Sequence, residues 1–210
     1  MKNILVFCAH PDDELIGLGG TIAKYSQENY NIIVVIFSYG ELSYYKEEII
    51  KKKRYRESKE ASKILGSRDV IVLGLPDGKI KKSITPEVIK SVRELILKYN
   101  PERIYTHTPS DPLPDHIAVY NAVMKALKSI KRHYDVYGFD VWNLTNLKER
   151  NFPVVYVDVS ETFWKKMKCI WIFRTQFHVM LYFFPIILAR AIYFGLKNHC
   201  RYAERFYKLK

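Results

Sequence analysis

The sequence predicts an α/β fold, a single Rossmann-like domain with a mostly parallel sheet flanked by helices. Short continuous apolar runs, typical of strands buried on both faces, alternate along the chain with segments of helical length. The composition is 48% hydrophobic and 27% charged over 210 residues, which is typical of a folded globular chain and excludes a disordered or collagen-like one. At this length, and with no internal repeat or linker, one domain over 1–210 is expected.

The individual elements are predicted from these apolar runs and from the helix signals between them. The predicted strands are 3–9, 31–38, 69–73, 103–106, 135–142 and 153–159. The predicted helices are 21–27, 47–65, 85–99 and 116–131, and Gly66 ends the second of them. Because ligands of open parallel sheets bind at the carboxyl ends of the strands, we expect the chemistry in the loops 10–16, 74–78 and 107–116.

The charge is strongly positive, with 34 Lys and Arg against 22 Asp and Glu, a formal net charge of +12. Such an excess is compatible with nucleic acid, an anionic membrane surface or a phosphate-bearing substrate. The basic residues form separate clusters at 51–56, 79–82, 125–132 and 197–210, each of which is also compatible with a solvated helix face.

The cysteines and the start of the chain indicate the cellular compartment of the protein. Three cysteines exclude a disulfide framework, and Cys8 lies in an apolar run typical of a buried thiol. The start of the chain does not match a signal peptide, because its apolar run is short and charged residues follow at once. We therefore expect a cytoplasmic protein, with the inner face of a membrane as the alternative place.

Residues 160–210 form a basic and aromatic C-terminal tail that is predicted to be helical. Its apolar stretch, 177–196, contains His178, Pro185 and Arg190, which are unfavourable in a membrane span. A helix pair packed on the sheet is the first interpretation. A peripheral contact with a membrane surface and a true span are the alternatives.

The loop after the first strand concentrates polar groups, reading His10-Pro11-Asp12-Asp13-Glu14. Like charges at such short range repel, and a bound divalent cation relieves that repulsion. A second polar cluster follows the fourth predicted strand, and it comprises His107, Asp111, Asp115 and His116. In a parallel sheet both loops open at the same edge, so residues of the two clusters are expected to meet.

One His and one Asp from the first loop with one His from the second make a three-ligand set, which is typical of catalytic zinc. Asp12 is then the spare carboxylate that acts as general base. The pattern predicts metal-assisted hydrolysis of an amide or ester.

The pentapeptide at 10–14 resembles the signature of the PIG-L/LmbE-like deacetylases, zinc-dependent enzymes that remove acetyl groups from N-acetylglucosamine-type compounds. The resemblance covers nearly the whole chain and implies one deacetylase-like domain. It continues through the following matches: Arg54 and Glu57, Leu75-Pro76-Asp77-Gly78, Thr106-His107, Pro114-Asp115-His116, Lys166, Thr175-Gln176, and Tyr202-Ala203-Glu204 with Phe206.

The resemblance assigns roles to single residues of this chain. It implies His10, Asp13 and His116 as zinc ligands, with Asp12 as the general base. It implies that Arg54 and Asp77 bind substrate, and that Asp115 orients a neighbouring group.

Two further carboxylates have alternative roles that the residues alone leave open. Glu14 is expected either to accept backbone hydrogen bonds at the helix entry or to support a ligand. Asp111 either forms a turn before Pro112 or supports a ligand.

One position departs from the family pattern. Members often carry a histidine two residues before the Asp-His pair, where it stabilises the oxyanion, and this chain has Leu113 there. Leucine donates neither a hydrogen bond nor a proton. Either His107 or His178 replaces it, with His107 preferred as a catalytic residue, or the cation stabilises the oxyanion alone and the activity is weak.

The preferred function is therefore a zinc-dependent hydrolase that removes an N-acetyl group from an acetamido-sugar, such as a lipid-linked glycan precursor. Iron(II) is the alternative metal. The competing functions are a basic RNA- or membrane-binding module with a vestigial metal site, and a metal-dependent esterase or amidase acting on a non-sugar. Nucleic acid is not the expected partner, whereas peripheral membrane contact and a homo-oligomer are compatible with the sequence.

Overall fold

The computed structural model describes residues 2–41, 47–142 and 152–210. The strands of this part are β1 (Asn3–Cys8), β2 (Asn31–Ser38), β3 (Asp69–Leu75), β4 (Arg103–His107), β5 (Asp135–Phe139), β6 (Val154–Asp158) and β7 (Ala203–Lys208). The helices are α1 (Asp13–Gln27), α2 (Glu47–Leu65), α3 (Ile80–Ser83), α4 (Pro86–Tyr99), α5 (Pro114–Lys128), α6 (Phe163–Ile170) and α7 (Phe177–Lys197), with a 3₁₀ turn at Arg174–Gln176. The predicted α/β class and mostly parallel sheet are confirmed.

All seven strands belong to one sheet, in the order β3-β2-β1-β4-β5-β7-β6. The first five are parallel neighbours, and β1 lies at the centre with Leu5 opposite Ile33 on β2 and Ile104 on β4. β7 runs antiparallel to both β5 and β6. The sheet therefore brings the loops after β1 and β4 to the same edge.

Two apolar layers cover the sheet and explain why β1 is continuously hydrophobic. Ile4 and Val6 belong to the layer that includes α1, α6 and α7. Leu5 and Phe7 belong to the layer that includes α4 and α5. Successive side chains of a strand point to opposite faces, so a strand covered on both sides has no polar position.

Three differences from the predicted elements concern the site. α1 begins at Asp13 rather than at 21, so the pentapeptide itself enters the helix. β5 ends at Phe139, which leaves 140–142 as a loop. The tail is helical from Phe163 to Lys197 apart from its connecting turns, but Ala203–Lys208 is a strand that the sequence analysis did not predict. Its sequence, AERFYK, does not alternate between apolar and polar residues, so no strand pattern marks it.

The glycine-rich first turns of α1 pack closely against neighbouring side chains. A Cβ on Gly17 would lie 2.4 Å from the ring of Phe139, and one on Gly20 would lie 2.9 Å from Val159. The Phe139 ring and the Cβ of Val159 are rigid groups that cannot easily move aside. Only glycine at these two positions therefore lets α1 approach the sheet so closely.

The helical segment Arg174–Lys197 is long and apolar enough to cross a bilayer. Its most apolar stretch of 18 residues has a mean hydropathy of 1.9, and one third of that stretch is buried in the protein. Its inward side chains, including Met180, Phe183 and Ile187, are part of the core beside the sheet. The chain then continues into β7, which is paired on both sides. α7 is thus a packed helix of the domain, as the first interpretation of the tail expected.

Candidate metal centre and active-site cleft

Two loops at the carboxyl edge of the sheet build the candidate site. β1 and β4 are adjacent parallel strands, so the loop that enters α1 and the loop that enters α5 lie side by side. The structure brings together the residues predicted from the two polar clusters, because they lie in the loops that follow β1 and β4 or in the first turns of α1 and α5.

His10, Asp13 and His116 form a group whose candidate ligand atoms all lie within 4.8 Å of one another. Nε2 of His116 is 3.5 Å from Oδ1 of Asp13, and Nδ1 of His10 is 3.8 Å from Oδ2 of Asp13. Among the described residues, Nε2 of His116 is buried without a hydrogen-bond partner. A buried imidazole nitrogen left unpaired beside a carboxylate fits a divalent cation, and two imidazoles with one carboxylate are a donor set that suits zinc.

The carboxylate of Asp13 is held rigidly by the backbone of its own loop. Its Oδ2 accepts hydrogen bonds from the N–H groups of Ala9, at 3.0 Å, and His10, at 2.8 Å. Burial raises the pKa of Asp13, but the neighbouring His116 and His107 outweigh burial and hold that pKa well below its usual range. Asp13 is therefore an ionised candidate ligand, and its second oxygen lies near His116.

Asp111 fixes the orientation of His116. Its Oδ1 lies 3.0 Å from Nδ1 of His116 and accepts a hydrogen bond from the N–H of Leu113, also at 3.0 Å. Burial opposes ionisation, yet the contact with His116 lowers the pKa of Asp111 overall. A carboxylate on the far nitrogen fixes the ring tautomer and leaves Nε2 free for a metal. These contacts are compatible with both expected roles of Asp111, turn former and support of a ligand.

His107 lies behind the cluster rather than in the cleft. Its ring is fully buried and stacks on His116, with the ring centroids 3.9 Å apart, and its Nε2 accepts a hydrogen bond from the N–H of Ala9 at 3.0 Å. Burial and the adjacent His116 lower the pKa of His107 to about 4, so the ring is neutral. His107, Asp111 and His116 form a second possible metal group, but it is entirely buried. This position does not favour the predicted catalytic role of His107 at an oxyanion.

Asp12 lies at the entrance of α1 with an unusual backbone conformation, φ 113° and ψ −28°. Burial raises the pKa of its carboxyl, against the opposing effect of Arg54, whose Nη2 is 3.5 Å away. The N–H of Asp12 donates a hydrogen bond to Glu14 at 3.1 Å, and Glu14 also accepts one from Ser58 at 2.8 Å. Glu14 therefore supports the backbone that presents Asp12, in line with its expected role at the helix entry.

Arg54 is engaged with the backbone of the loops around the site. Its guanidinium donates to the carbonyl oxygens of Gly40, at 2.5 Å, and Pro11, at 3.0 Å. Its side chain is 5% exposed, although it lines the cleft. The predicted role in binding substrate stays a prediction. The contacts themselves indicate that Arg54 holds the loop of Asp12 in place.

Asp77 and Asp115 surround the outer nitrogen of His10. Oδ1 of Asp77 is 2.9 Å and Oδ2 of Asp115 is 3.6 Å from Nε2 of His10. Asp115 also accepts a hydrogen bond from the N–H of Gly78 at 2.8 Å. Although burial alone lowers the pKa of His10, these carboxylates raise it to about 10. The geometry fits the orienting role expected for Asp115, and it gives Asp77 a similar role besides the predicted contact with substrate.

The cluster opens into a cleft of about 320 Å³. The described residues that line the cleft are His10, Asp12, Asp13, Gly40, Arg54, Asp77, Leu113, Trp142, Gln176 and Val179. This volume suits a sugar-sized group. Trp142 and Val179 were missed by sequence reasoning because nothing local marks them, whereas Gln176 lies in the Thr175-Gln176 match. Leu113 lies on the wall of the cleft, at the position where the family resemblance led us to expect a histidine.

Comparison with known proteins supports the sequence resemblance. Residues 5–127 match the model of the PIG-L family, described as GlcNAc-PI de-N-acetylase. The chain is 26% identical to a diacetylchitobiose deacetylase of Thermococcus kodakarensis over 97% of this chain and 82% of that protein. It is 27% identical to a probable N-acetyl-α-D-glucosaminyl L-malate deacetylase 2 of Bacillus anthracis over 84% of this chain and 82% of that protein.

Solved structures share the fold over the whole chain. The N,N′-diacetylchitobiose deacetylase of Pyrococcus horikoshii superposes with a TM-score of 0.80 at 22% identity, covering 98% of this chain and 82% of that one. GalB, a 4-carboxy-2-hydroxymuconate hydratase of Pseudomonas putida, superposes with a TM-score of 0.87, also at 22% identity, covering 100% and 97%. Because a hydratase and a deacetylase both have this fold, the fold alone does not determine the reaction.

Proposed function

Because the chain belongs to the PIG-L family of de-N-acetylases, we propose that it is a metal-dependent hydrolase that removes the N-acetyl group of an acetamido-sugar. The observation that carries this proposal is the cluster of His10, Asp13 and His116 at the floor of a sugar-sized cleft, with the carboxylate of Asp12 beside it. The family supports a metal-dependent reaction without specifying the metal. We propose zinc, with iron(II) as the alternative, because two imidazoles and one carboxylate suit zinc.

His10, Asp13 and His116 would hold the divalent cation, which would supply Lewis acidity toward the acetamide carbonyl and an attacking water. Asp12 then accepts the proton of the attacking water and returns it to the nitrogen that leaves. The amide C–N bond breaks, one water is consumed, and the products are acetate and the free amine. Arg54 keeps the loop of Asp12 in position through its hydrogen bonds to Pro11 and Gly40.

The intact cluster makes the vestigial-site alternative less favourable than an enzyme. A buried, unpaired imidazole nitrogen beside an ionised carboxylate is costly to maintain without a ligand. The wall residue Leu113 leaves one oxyanion donor missing relative to many relatives, and such a loss lowers the rate by about 10²–10³-fold. We therefore expect slow turnover rather than none.

We place the enzyme in the cytoplasm, at the inner face of the membrane, with a nucleotide-linked or lipid-linked acetamido-sugar as its substrate. The net charge of +12 supports a substrate in which the sugar carries an anionic group, such as the phosphate of a nucleotide or lipid carrier. Three cysteines without a disulfide among the described residues are compatible with a reducing compartment.

The test is release of acetate by the metal-loaded protein from free N-acetylglucosamine, diacetylchitobiose, a nucleotide sugar and a lipid-linked sugar, with acetyl esters as the non-sugar comparison. We expect Asp12→Ala to lower the turnover rate by about 10²–10⁴-fold and His116→Ala to lower both turnover and bound metal. His133→Ala, a substitution of an exposed histidine, is the matched control. Undiminished turnover in both site variants refutes the assignment, and activity confined to esters favours the esterase.

A further inference from the structure

The outward side of α7 carries a continuous apolar stripe. Spacings of three and four residues place the following exposed residues on one side of the helix: His178, Leu181, Tyr182, Pro185, Ala189, Ile192 and Leu196. This stripe, hereafter the outer face of α7, is about 27 Å long at the rise of an α-helix. Its apolar members are well exposed, at 52% for Leu181, 61% for Tyr182 and 72% for Leu196.

The outer face of α7 contains no Asp, Glu, Lys or Arg. The two cationic residues of the helix are Arg190 and Lys197. Arg190 turns aside to line a small buried cavity with Asp140 and Glu204, and burial lowers its pKa to about 10. A soluble surface helix ordinarily has charged groups on its exposed side, so an uncharged exposed stripe of this length indicates a partner.

The sequence that contains this stripe is basic. No acidic residue occurs in the sequence between Glu161 and Glu204. Exposed cations lie at both ends of α7: Arg174 precedes it, Lys197 is its last residue, and Arg201 follows it. Tyr182 and, just before the helix, the half-exposed Trp171 add the amphipathic aromatic rings that are typical of membrane interfaces. An apolar stripe with cationic ends complements a surface that is apolar beneath and anionic above.

The same helix is anchored to the protein along its opposite side. Phe183, Ile187 and Phe194 are buried in the core, and β7, which follows α7, is paired within the sheet. A helix held in this way is unable to leave the domain and span a bilayer. It is able to lie flat on one, with its apolar side immersed at the level of the headgroups.

We propose that the outer face of α7 docks on the surface of an anionic lipid bilayer. Burying the side chains of Leu181, Ile192 and Leu196 supplies the apolar part of the binding free energy, and Arg174 and Lys197 supply the electrostatic part. The start of α7 also borders the cleft, through Val179 in its first turn and Gln176 just before it, so a docked protein holds its cleft close to the lipid surface. The proposal concerns binding and does not rest on the proposed function.

The experiment is flotation of the full-length protein with vesicles of phosphatidylcholine, with or without phosphatidylglycerol. We expect the wild-type protein to float with the vesicles that contain phosphatidylglycerol, and less so as salt is raised, because salt screens the cationic ends. Tryptophan fluorescence, which includes Trp171 beside the helix, should shift to shorter wavelength on binding. The protein need not carry metal or substrate for either measurement.

Single substitutions assign binding to the outer face of α7. Leu181→Glu and Leu196→Glu should each weaken vesicle binding by about tenfold or more. Leu97→Glu is the matched control, because Leu97 is a similarly exposed leucine, at 47%, on α4 in the opposite layer, and its substitution should leave binding unchanged. Lys197→Gln should weaken binding about fivefold, with Lys125→Gln on α5 as its control. All the substituted positions are exposed, and circular dichroism checks that the variants fold.

Three results would overturn the proposal. The first is wild-type protein that does not bind anionic vesicles even at low salt. The second is wild-type binding retained by both Leu181→Glu and Leu196→Glu. The third is sedimentation of the wild-type protein as an oligomer that both glutamate variants dissociate, without vesicle binding, since the face would then join two copies of the chain.

Discussion

At the scale of single residues, the backbone of Asp12 is the least ordinary feature of the site. A φ of 113° is a conformation that residues with a Cβ rarely adopt. The strain is maintained by the fixed neighbours of the loop, since Glu14 accepts the hydrogen bond of the Asp12 N–H and Arg54 holds Pro11. This turn places the Asp12 carboxylate in the cleft beside the candidate metal cluster, where the proposed reaction needs it.

This strain predicts an unusual order of stabilities. Asp12→Gly should have a free energy of unfolding about 1 kcal/mol higher than Asp12→Ala, since glycine adopts the observed φ without steric cost. Both variants lack the carboxylate, so both should be inactive, and the comparison isolates the backbone. Urea denaturation of the two proteins measures the difference. A less stable glycine variant, which is the ordinary order for these two residues, would contradict the strain.

A second prediction at this scale concerns Asp111, which touches His116 but not the cleft. Asp111→Asn should weaken metal binding by about 10–100-fold, because the carboxylate no longer orients the imidazole through its far nitrogen. Competition with a chromophoric chelator measures the affinity. Asp69→Asn, at an exposed position remote from the site, is the control. Equal affinities in the two variants would remove the supporting role of Asp111.

At the scale of elements, α1 has a break at Leu18, and a residue of the distant strand β7 caps the helix after that break. Leu18 has a non-helical backbone, φ −148° and ψ 23°, and the helix restarts after it. The new N-terminus donates from the N–H groups of Gly20, at 3.0 Å, and Thr21, at 2.7 Å, to the carboxylate of Glu204 on β7. Lys166 on α6 completes the arrangement at 2.6 Å from Glu204 and 2.8 Å from the carbonyl of Ile16. One buried ion pair thus joins α1, α6 and β7.

Removing one partner of the Lys166–Glu204 ion pair should strongly lower the free energy of unfolding. Burial lowers the pKa of Lys166 although Glu204 opposes that change, so the ammonium depends on its partner. Glu204→Leu should therefore lower the free energy of unfolding by about 3–5 kcal/mol, and the double variant with Lys166→Met should recover part of that loss. Lys208→Met, which breaks the exposed pair with Asp135, should cost less than about 1 kcal/mol. Additive costs at the buried pair would contradict the coupling.

At the scale of the whole molecule, the metal cluster joins two distant parts of the chain. His10 and Asp13 lie at the entrance of α1, whereas His116 lies in α5, and β1 and β4 bring the two together. A cation bound there links the layers on the two faces of the sheet, since α1 belongs to one layer and α5 to the other. Bound metal is thus expected to stabilise the fold as well as to serve the reaction.

Metal removal tests this expectation. The metal-free protein should unfold at a lower temperature, and zinc at about 100 times its dissociation constant should restore about 2.7 kcal/mol. His116→Ala should show no such shift, because one of the three ligands is missing. Calorimetry of the chelated, reloaded and variant proteins gives the comparison. A shift of equal size in His116→Ala would place the stabilising metal elsewhere.

Much of this site was predictable because its residues are contiguous. The pentapeptide at 10–14 and the pair Asp115-His116 each follow a strand, and parallel strands end at one edge, so their convergence follows from the pattern alone. Roles that depend on distant partners were harder to predict. Arg54 proved to hold the carbonyls of Pro11 and Gly40, and His107 proved to be buried behind His116.

The sequence by itself predicted the α/β class, the mostly parallel sheet and the residues of the candidate metal cluster, because periodicity and short motifs are local properties. Only the tertiary structure decided that β7 closes the sheet antiparallel between β5 and β6, that Glu204 caps a break in α1, and that one side of α7 faces outward. Those outcomes depend on which surfaces meet across the fold. An apolar side chain packs equally well against many partners, so its pattern does not specify which partner it finds.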